Sequence, residues 1–284
     1  MGSVIAGVAL ACFASVLFNA AIVIQASEVR AVPLELGLHV SLIGRLLRRP
    51  RWLLGAALGL TAFPLQTIAL LWAPLTAVQP ADAAGLLVLL YLGSRMLREP
   101  VGRREVLAVA AIVLGLVALT LAAPKRQVSQ VEGAEVLVPM LLVAAVALAP
   151  LALRRKLGSG SIGVVVGSGF AFALGAFCAK IVADAISRHA WGVLVAVLVV
   201  AGLSSFVGTI TEQTALQRRP ATQVAPIIFA IELLVPVILA VLVVGEDWQH
   251  SSLIGIVVGL ALVVGGALTL GRAPTVARMI EAGK

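Results

Sequence analysis

Charge is scarce in this chain of 284 residues. Only 12% are Asp, Glu, Lys or Arg, 61% are hydrophobic, and the mean hydropathy is +1.11. A soluble domain has no use for that much apolar surface, whereas helices crossing a bilayer need about 20 apolar residues each and satisfy their own backbone where lipid cannot. Cysteine is nearly missing. Cys12 and Cys178 both sit inside apolar runs, which excludes a disulfide framework and any metal-type cysteine spacing. The chain has no Walker sequence, no HExxH and no nucleophile–base–acid set. ATP hydrolysis and other catalysis are therefore not expected, and no cofactor is called for.

Long apolar runs are what the chain does have. They predict nine spans, at 3–25, 52–73, 76–96, 104–122, 136–153, 160–186, 191–211, 219–244 and 251–270. A further stretch, 33–48, is shorter and carries Glu35 and His39; it reads as a short tilted span or an interfacial helix. The first run lacks the positive leader of a signal peptide and reads as a retained helix.

The net charge of +8 is sorted along the chain. Arg45, Arg48, Arg49, Arg51, Arg95, Arg98, Arg103, Arg104, Arg154, Arg155, Lys156, Arg218, Arg219, Arg272, Arg278 and Lys284 fall on one side, 16 of the 21 basic residues. Arg30, Lys125, Arg126 and Arg188 fall on the other, and Lys180 lies within a span. By the positive-inside rule the crowded side, with the C-terminus, is cytoplasmic. Charge spread over short loops is a topology signal and not a nucleic-acid patch. Trp52, Trp72, Trp191 and Trp248 are expected at span ends, where amphipathic rings favour the headgroup region.

One segment occurs twice. IALLWAPLTAVQP (68–80) and TALQRRPATQVAP (214–226) share Ala69/Ala215, Leu70/Leu216, Pro74/Pro220, Thr76/Thr222, Val78/Val224 and Pro80/Pro226 at an offset of 146. The likeness runs on through the following apolar runs to VLAVAAIVLGLVALTL and LIGIVVGLALVVGGALTL. Counting back pairs 52–73 with 191–211, 33–48 with 160–186, and 3–25 with 136–153. The expectation is an all-α polytopic membrane protein of ten transmembrane helices, with nine as the variant. Residues 1–122 would form a first five-helix repeat, 123–135 an extracytoplasmic linker, 136–271 a second, inverted repeat, and 272–284 a cytoplasmic tail. An odd number of helices per half turns the second half over, an arrangement common in secondary transporters.

APLTAVQPADAAGLLVLL and its partner, from TEQTALQRRPATQVAP to the Gly-rich last helix, resemble the drug/metabolite transporter superfamily, most of all its EamA-type carriers. The second half closes on Val243-Val244-Gly245-Glu246 in that family's manner, while the first has Met96-Leu97-Arg98-Glu99 and lacks the glycine. Val78-Gln79-Pro80 is similar to the NIPA-like magnesium-transporter branch. The resemblance covers nearly the whole chain and implies ten helices as two five-helix halves. It names no substrate, since members carry amino acids, nucleotide sugars, drugs, metabolites and lipid-linked sugars. Export as the direction is implied by resemblance alone.

Ionisable residues within the spans cost about 2.5–3.5 kcal/mol each at the bilayer centre and so are candidates for function. Glu232 lies midway along its span between Pro226 and Pro236, which with Pro80 are expected to break their helices. Proton exchange at that carboxyl would suit proton-coupled transport, and the plainer alternative is a buried Glu held by a hydroxyl. Asp82 and Lys180 sit at similar depths; a structural pair outweighs an outer gate. Asn19, Gln25, Gln66, Gln79, Glu212, Gln213 and Gln223 complete a candidate path, although each alone is better explained by an interhelical hydrogen bond. Glu35 and His39, spaced i,i+4, would share a helix face, but with no third ligand metal binding is a weak reading. Phe170, Phe172 and Phe177 could stack on a solute, with packing the better explanation.

The expectation is therefore a carrier in a plasma (inner) membrane, working by alternating access on a small metabolite or drug-like solute with proton coupling. Its partners would be that solute, protons and the lipid bilayer, with a homodimer left open and nucleic acid excluded. The alternatives are a NIPA-like magnesium path, and a flippase for a lipid-linked substrate or a non-transporting scaffold. The Ala, Val, Leu, Gly and Arg bias is compatible with a GC-rich bacterial genome.

Overall fold

The computed structural model describes residues 2–73, 75–122, 137–154, 161–187, 191–244 and 250–271, without the side chains of 2–4, 70, 75–84, 120, 179–187, 236–244 and 250–253. The expected linker 123–135 and tail 272–284 lie outside the described residues. Among those described there is no strand. The elements are α1 (Gly2–Val29), a 3-10 turn (Leu34–Leu36), α2 (Val40–Leu46), α3 (Pro50–Trp72), α4 (Leu75–Met96), α5 (Arg103–Ala122), α6 (Leu137–Ala152), α7 (Ile162–Ser187), α8 (Trp191–Arg218), α9 (Ala221–Val244) and α10 (His250–Gly271).

Four described segments, Ile5–Val29, Pro50–Ala69, Trp191–Arg218 and Ile254–Gly271, are long and apolar enough to cross a bilayer. Large apolar side chains face outward on them: Leu60 and Leu71 are each 77% exposed and Ile254 73%. In water such a surface would aggregate, and in lipid it is the solvent-matched face.

The stretch 33–48 does not form a span. It is a 3-10 turn followed by the seven-residue α2, which at 1.5 Å per residue is about 10 Å long, a third of the hydrocarbon core. Among the described residues that leaves nine helices of sixteen residues or more. The expected Glu35–His39 face fails with it, because Glu35 lies in the 3-10 turn while His39, in extended conformation, caps α2 and contacts the Gly37 carbonyl (3.0 Å).

The long helices pack in a repeated pattern. α1 runs antiparallel to α3, Gly7 against Ala73 and Gly55 against Gln25, and leans on α4 where Gly85 meets Ser15 and Asn19. α7 treats α8 and α9 the same way. Gly208 lies under the Phe172 ring, Ser168 Oγ donates to the Gly208 carbonyl (2.9 Å), and Gly169 abuts Ile231. α1 and α7 thus occupy similar places in the packing, each against two later helices, whereas the sequence count paired 3–25 with 136–153. α6 packs on α7 and α8.

α5 and α10 join the halves through a glycine crossing. A Cβ on Gly115 would lie 2.7 Å from the Gly259 carbonyl oxygen, and one on Gly259 would lie 2.8 Å from that of Gly115. Only glycine at both positions lets the two backbones come this close.

Three further expectations change. α4 and α9 run unbroken through Pro80, Pro226 and Pro236. Pro80 and Pro226 are each the sixth residue of their helix, so each removes one bond of the first turns, to the carbonyl of the second residue, and leaves the helix beyond it intact. Trp52, Trp72 and Trp191 lie at helix ends as expected, but Trp52 is buried and its indole Nε1 donates to Gln213 Oε1 (3.1 Å), while Trp72 and Trp191 are exposed; Trp248 lies outside the described residues. Arg30 belongs with the other arginines. Once 33–48 no longer crosses, the end of α1 and the start of α3 share one end of the bundle.

At that Arg-rich end the charges are matched to helix polarity. Arg49 donates to Glu28 (2.9 Å) and to the Ala31 carbonyl (3.2 Å) just past α1. Arg104 and Arg219 donate to the Thr269 and Gly271 carbonyls at the end of α10 (3.1 and 3.4 Å). Glu105 accepts from the Gly102 amide (2.9 Å) at the start of α5. Cations at C-terminal ends and anions at N-terminal ends both oppose the helix dipole.

Candidate functional site

α1, α3, α4 and α9 enclose a cavity of about 430 Å³. Most of its wall is apolar, with Phe18, Phe63 and Phe229 among the lining residues. The polar groups on it are Ser15, Asn19, Gln66, Thr67 and Glu232. Glu232 is the one ionisable side chain on the described wall, and it is the twelfth of the 24 residues of α9, halfway along the helix.

Asn19 is only 3% exposed. Its amide nitrogen donates to the Ser15 carbonyl one turn back (2.8 Å), and its Oδ1 is buried without a partner. Buried acceptors in native structures are almost always satisfied, so an orphan on a cavity wall asks for a donor from whatever enters. Ser15 and Asn19 stand one helical turn apart on α1, which is why both reach the same space. Gly85 makes room for them, since a Cβ there would collide with the Ser15 hydroxyl and lie 2.7 Å from the Asn19 amide. Glu212 is half-buried on α8.

Of the residues expected from sequence, Glu232, Gln66 and Asn19 meet at this cavity, and Glu212 is not among its lining residues. Gln213 does not line it. It is fully buried, accepts from Trp52 and donates to Gln25 Oε1 (2.7 Å), which joins α8 to α1 and α3. Gln223 is buried off the cavity wall, with Oε1 unpartnered. The side chains of Gln79, Asp82, Lys180 and Pro236 lie outside the described residues. Phe170 and Phe177 pack with Leu174 and Cys178, and Phe172 packs on Gly208. No group of three metal-ligating side chains occurs among the described residues. Ser15, Thr67 and the three ring positions were not singled out from sequence; the i,i+4 spacing of Ser15 and Asn19 in an apolar run was the available signal.

No protein-family model, curated protein or solved structure matches the chain.

Proposed function

We propose that this chain is a secondary transporter that moves a small organic solute across a membrane by alternating access, with the four-helix cavity as its solute site and Glu232 as its proton-exchanging group. The observation that carries the reading is a carboxyl at mid-helix, alone among the ionisable groups of the described wall, beside an unsatisfied buried acceptor. About 430 Å³ falls within the 300–1,000 Å³ of small-molecule sites. The described wall offers acceptors and aromatic rings but no Lys, Arg or His, which suits a neutral or cationic solute with hydrogen-bond donors.

The topology supports alternating access. Two similar four-helix units, α1–α3–α4–α5 and α7–α8–α9–α10, are separated by the single helix α6. An even unit returns the chain to the side it entered from, and one further crossing turns the second unit over. Nine spans thus give inverted repeats as ten would, with the Arg-rich end and C-terminus cytoplasmic and the N-terminus outside. The resemblance to the drug/metabolite transporter superfamily implies ten helices as two five-helix halves; nine spans depart from that count and keep the inversion.

A second reading has its own observation. Phe63, which is 73% exposed, and the exposed Thr67 line the cavity from α3, so the cavity reaches the lipid-facing surface. An amphiphilic or lipid-linked solute could enter from the side.

The deciding experiment is a thermal-shift screen of the purified full-length protein against amino acids, nucleosides, sugars, organic cations and Mg²⁺, with Glu232→Gln in parallel. A solute at a hundred times its dissociation constant adds about 2.7 kcal/mol to native stability. A soluble organic hit lost in Glu232→Gln is the expected result. Stabilisation by Mg²⁺ alone, or by none of the panel, would count against the small-solute carrier.

A further inference from the structure

Glu99, three residues beyond α4, is 5% exposed and takes no part in the cavity. Its Oε1 accepts from Arg30 Nη2 (2.5 Å) and the Ala221 amide (2.7 Å). Its Oε2 accepts from the Thr222 amide (2.9 Å) and hydroxyl (2.7 Å). Arg30, one residue past α1, also donates through Nε to the Leu216 carbonyl (3.2 Å) and through Nη2 to that of Arg219 (3.3 Å). One ion pair therefore places a cation on the C-terminus of α8 and an anion on the N-terminus of α9, each opposing the partial charge of that end. Both charges come from the first half of the chain and both helix ends from the second. Gly93 permits the approach, since a Cβ there would lie 2.5 Å from the Thr222 methyl and 3.2 Å from Glu99 Oε2.

We infer that the Arg30–Glu99 pair is the latch that closes the route between the cavity and the Arg-rich face, so that the cavity opens to that face only when the pair parts. The inference rests on the alternating-access reading above. Ala225, on the cavity wall, is one turn along α9 from Thr222. Between that wall and the pair, Ala221, Thr222, Gln223 and Val224 are all at most 2% exposed, so this turn of α9 is dry. The plug is also under-satisfied. Gln223 Oε1 is buried there without a partner, a cost that entering water removes. In the latch reading the pair, with Glu99 buried and Arg30 19% exposed, exchanges its dry, joined arrangement for a wet, parted one.

The test is thiol accessibility in the full chain. Ala225→Cys is placed on the cavity wall in a background where Cys12 and Cys178 are Ser, and labelled with a membrane-impermeant maleimide applied to each face of sealed vesicles in turn. With the pair intact, labelling from the Arg-rich face is slow. Glu99→Gln and Arg30→Gln should each raise it about tenfold or more, as a two-state shift toward the open form requires. Thr222→Val, which removes only one hydrogen bond, should raise it less and keeps the test alive if the charge variants do not fold. Folded variants whose labelling from the Arg-rich face is unchanged, or rises equally from both faces, overturn the latch. The readout needs no solute: labelling that responds without any transported solute leaves the latch and removes the carrier, whereas transport with indifferent labelling does the reverse.

Discussion

Gln213 separates structure from path. Replacing it with Leu removes the acceptor for Trp52 Nε1 at 3.1 Å and the donor to Gln25 Oε1 at 2.7 Å. Side-chain hydrogen bonds between membrane helices average about 0.6 kcal/mol and reach about 1.7, so the two together give about 1–3 kcal/mol. The loss falls toward the upper end, because Gln213 is 0% exposed and Trp52 6%, and a buried indole N–H left without an acceptor carries its own desolvation cost. Reversible unfolding in detergent measures it. A cycle with Gln25→Leu then isolates the α1–α8 bond, with a coupling of at least about 0.5 kcal/mol expected for residues in direct contact. Solute affinity should stay within about twofold of wild type, since Gln213 is not on the cavity wall. Unchanged stability with affinity lost tenfold would refute this assignment and return Gln213 to the solute path.

Other outcomes follow from the same geometry. Glu99→Ala leaves the partly buried Arg30 without its carboxylate and strips the cap from α9, and should cost about 2–4 kcal/mol in the same unfolding assay, while Glu105→Gln, at an exposed cap, should cost under about 0.5. Gly115→Ala forces a methyl to within 2.7 Å of a carbonyl oxygen that cannot rotate away and should destabilise by about 1–3 kcal/mol; Gly44→Ala, with nothing within 4 Å, should be neutral or mildly stabilising. Asn19→Leu removes the orphan acceptor, and should weaken binding of the solute found by screening while leaving thermal stability of the empty protein within about 1 kcal/mol. For a cationic solute, wild-type affinity should fall as pH drops, because protonation of Glu232 removes the countercharge, and Glu232→Gln should bind weakly with no pH dependence over the same range.

The helices were legible in the sequence because apolar length is a direct signal: eight of the nine expected spans differ from their helices by modest end shifts, and 191–211 merely stops short of the tail of α8 that ends at Arg218. What misled was the stretch 33–48. Its composition suits a short span, but two features decide its shape. Gly37 is followed by Leu38 in a left-handed backbone (φ 60°), and Thr214 on α8 accepts from the Leu38 amide at 2.9 Å. That anchor lies 176 residues away and no local pattern reports it. The cavity was half legible. Isolated polar residues in apolar runs pointed to Glu232, Gln66 and Asn19, because burying them is costly. Whether such a residue faces a cavity or a partner depends on the neighbouring helix, and Gln213 and Gln66 read alike until that neighbour is known. Glu99 was visible only as the end of a repeat, since its partners at 30 and 221–222 come from two distant segments.

The lone α6 has a consequence for how the chain is made. If each four-helix unit enters from its own side, the ribosome delivers two related sequences that the membrane must orient oppositely. Their connections carry the instructions. In the first unit the arginines crowd the α1–α3 and α4–α5 connections and avoid α3–α4; in the second the α8–α9 connection holds Arg218 and Arg219 while 245–249 has no basic residue. Each unit thus carries its own address, and α6 need only agree with both. A chain shortened by that one helix would hold two contradictory addresses, and one unit would have to insert against its charge or fail to insert.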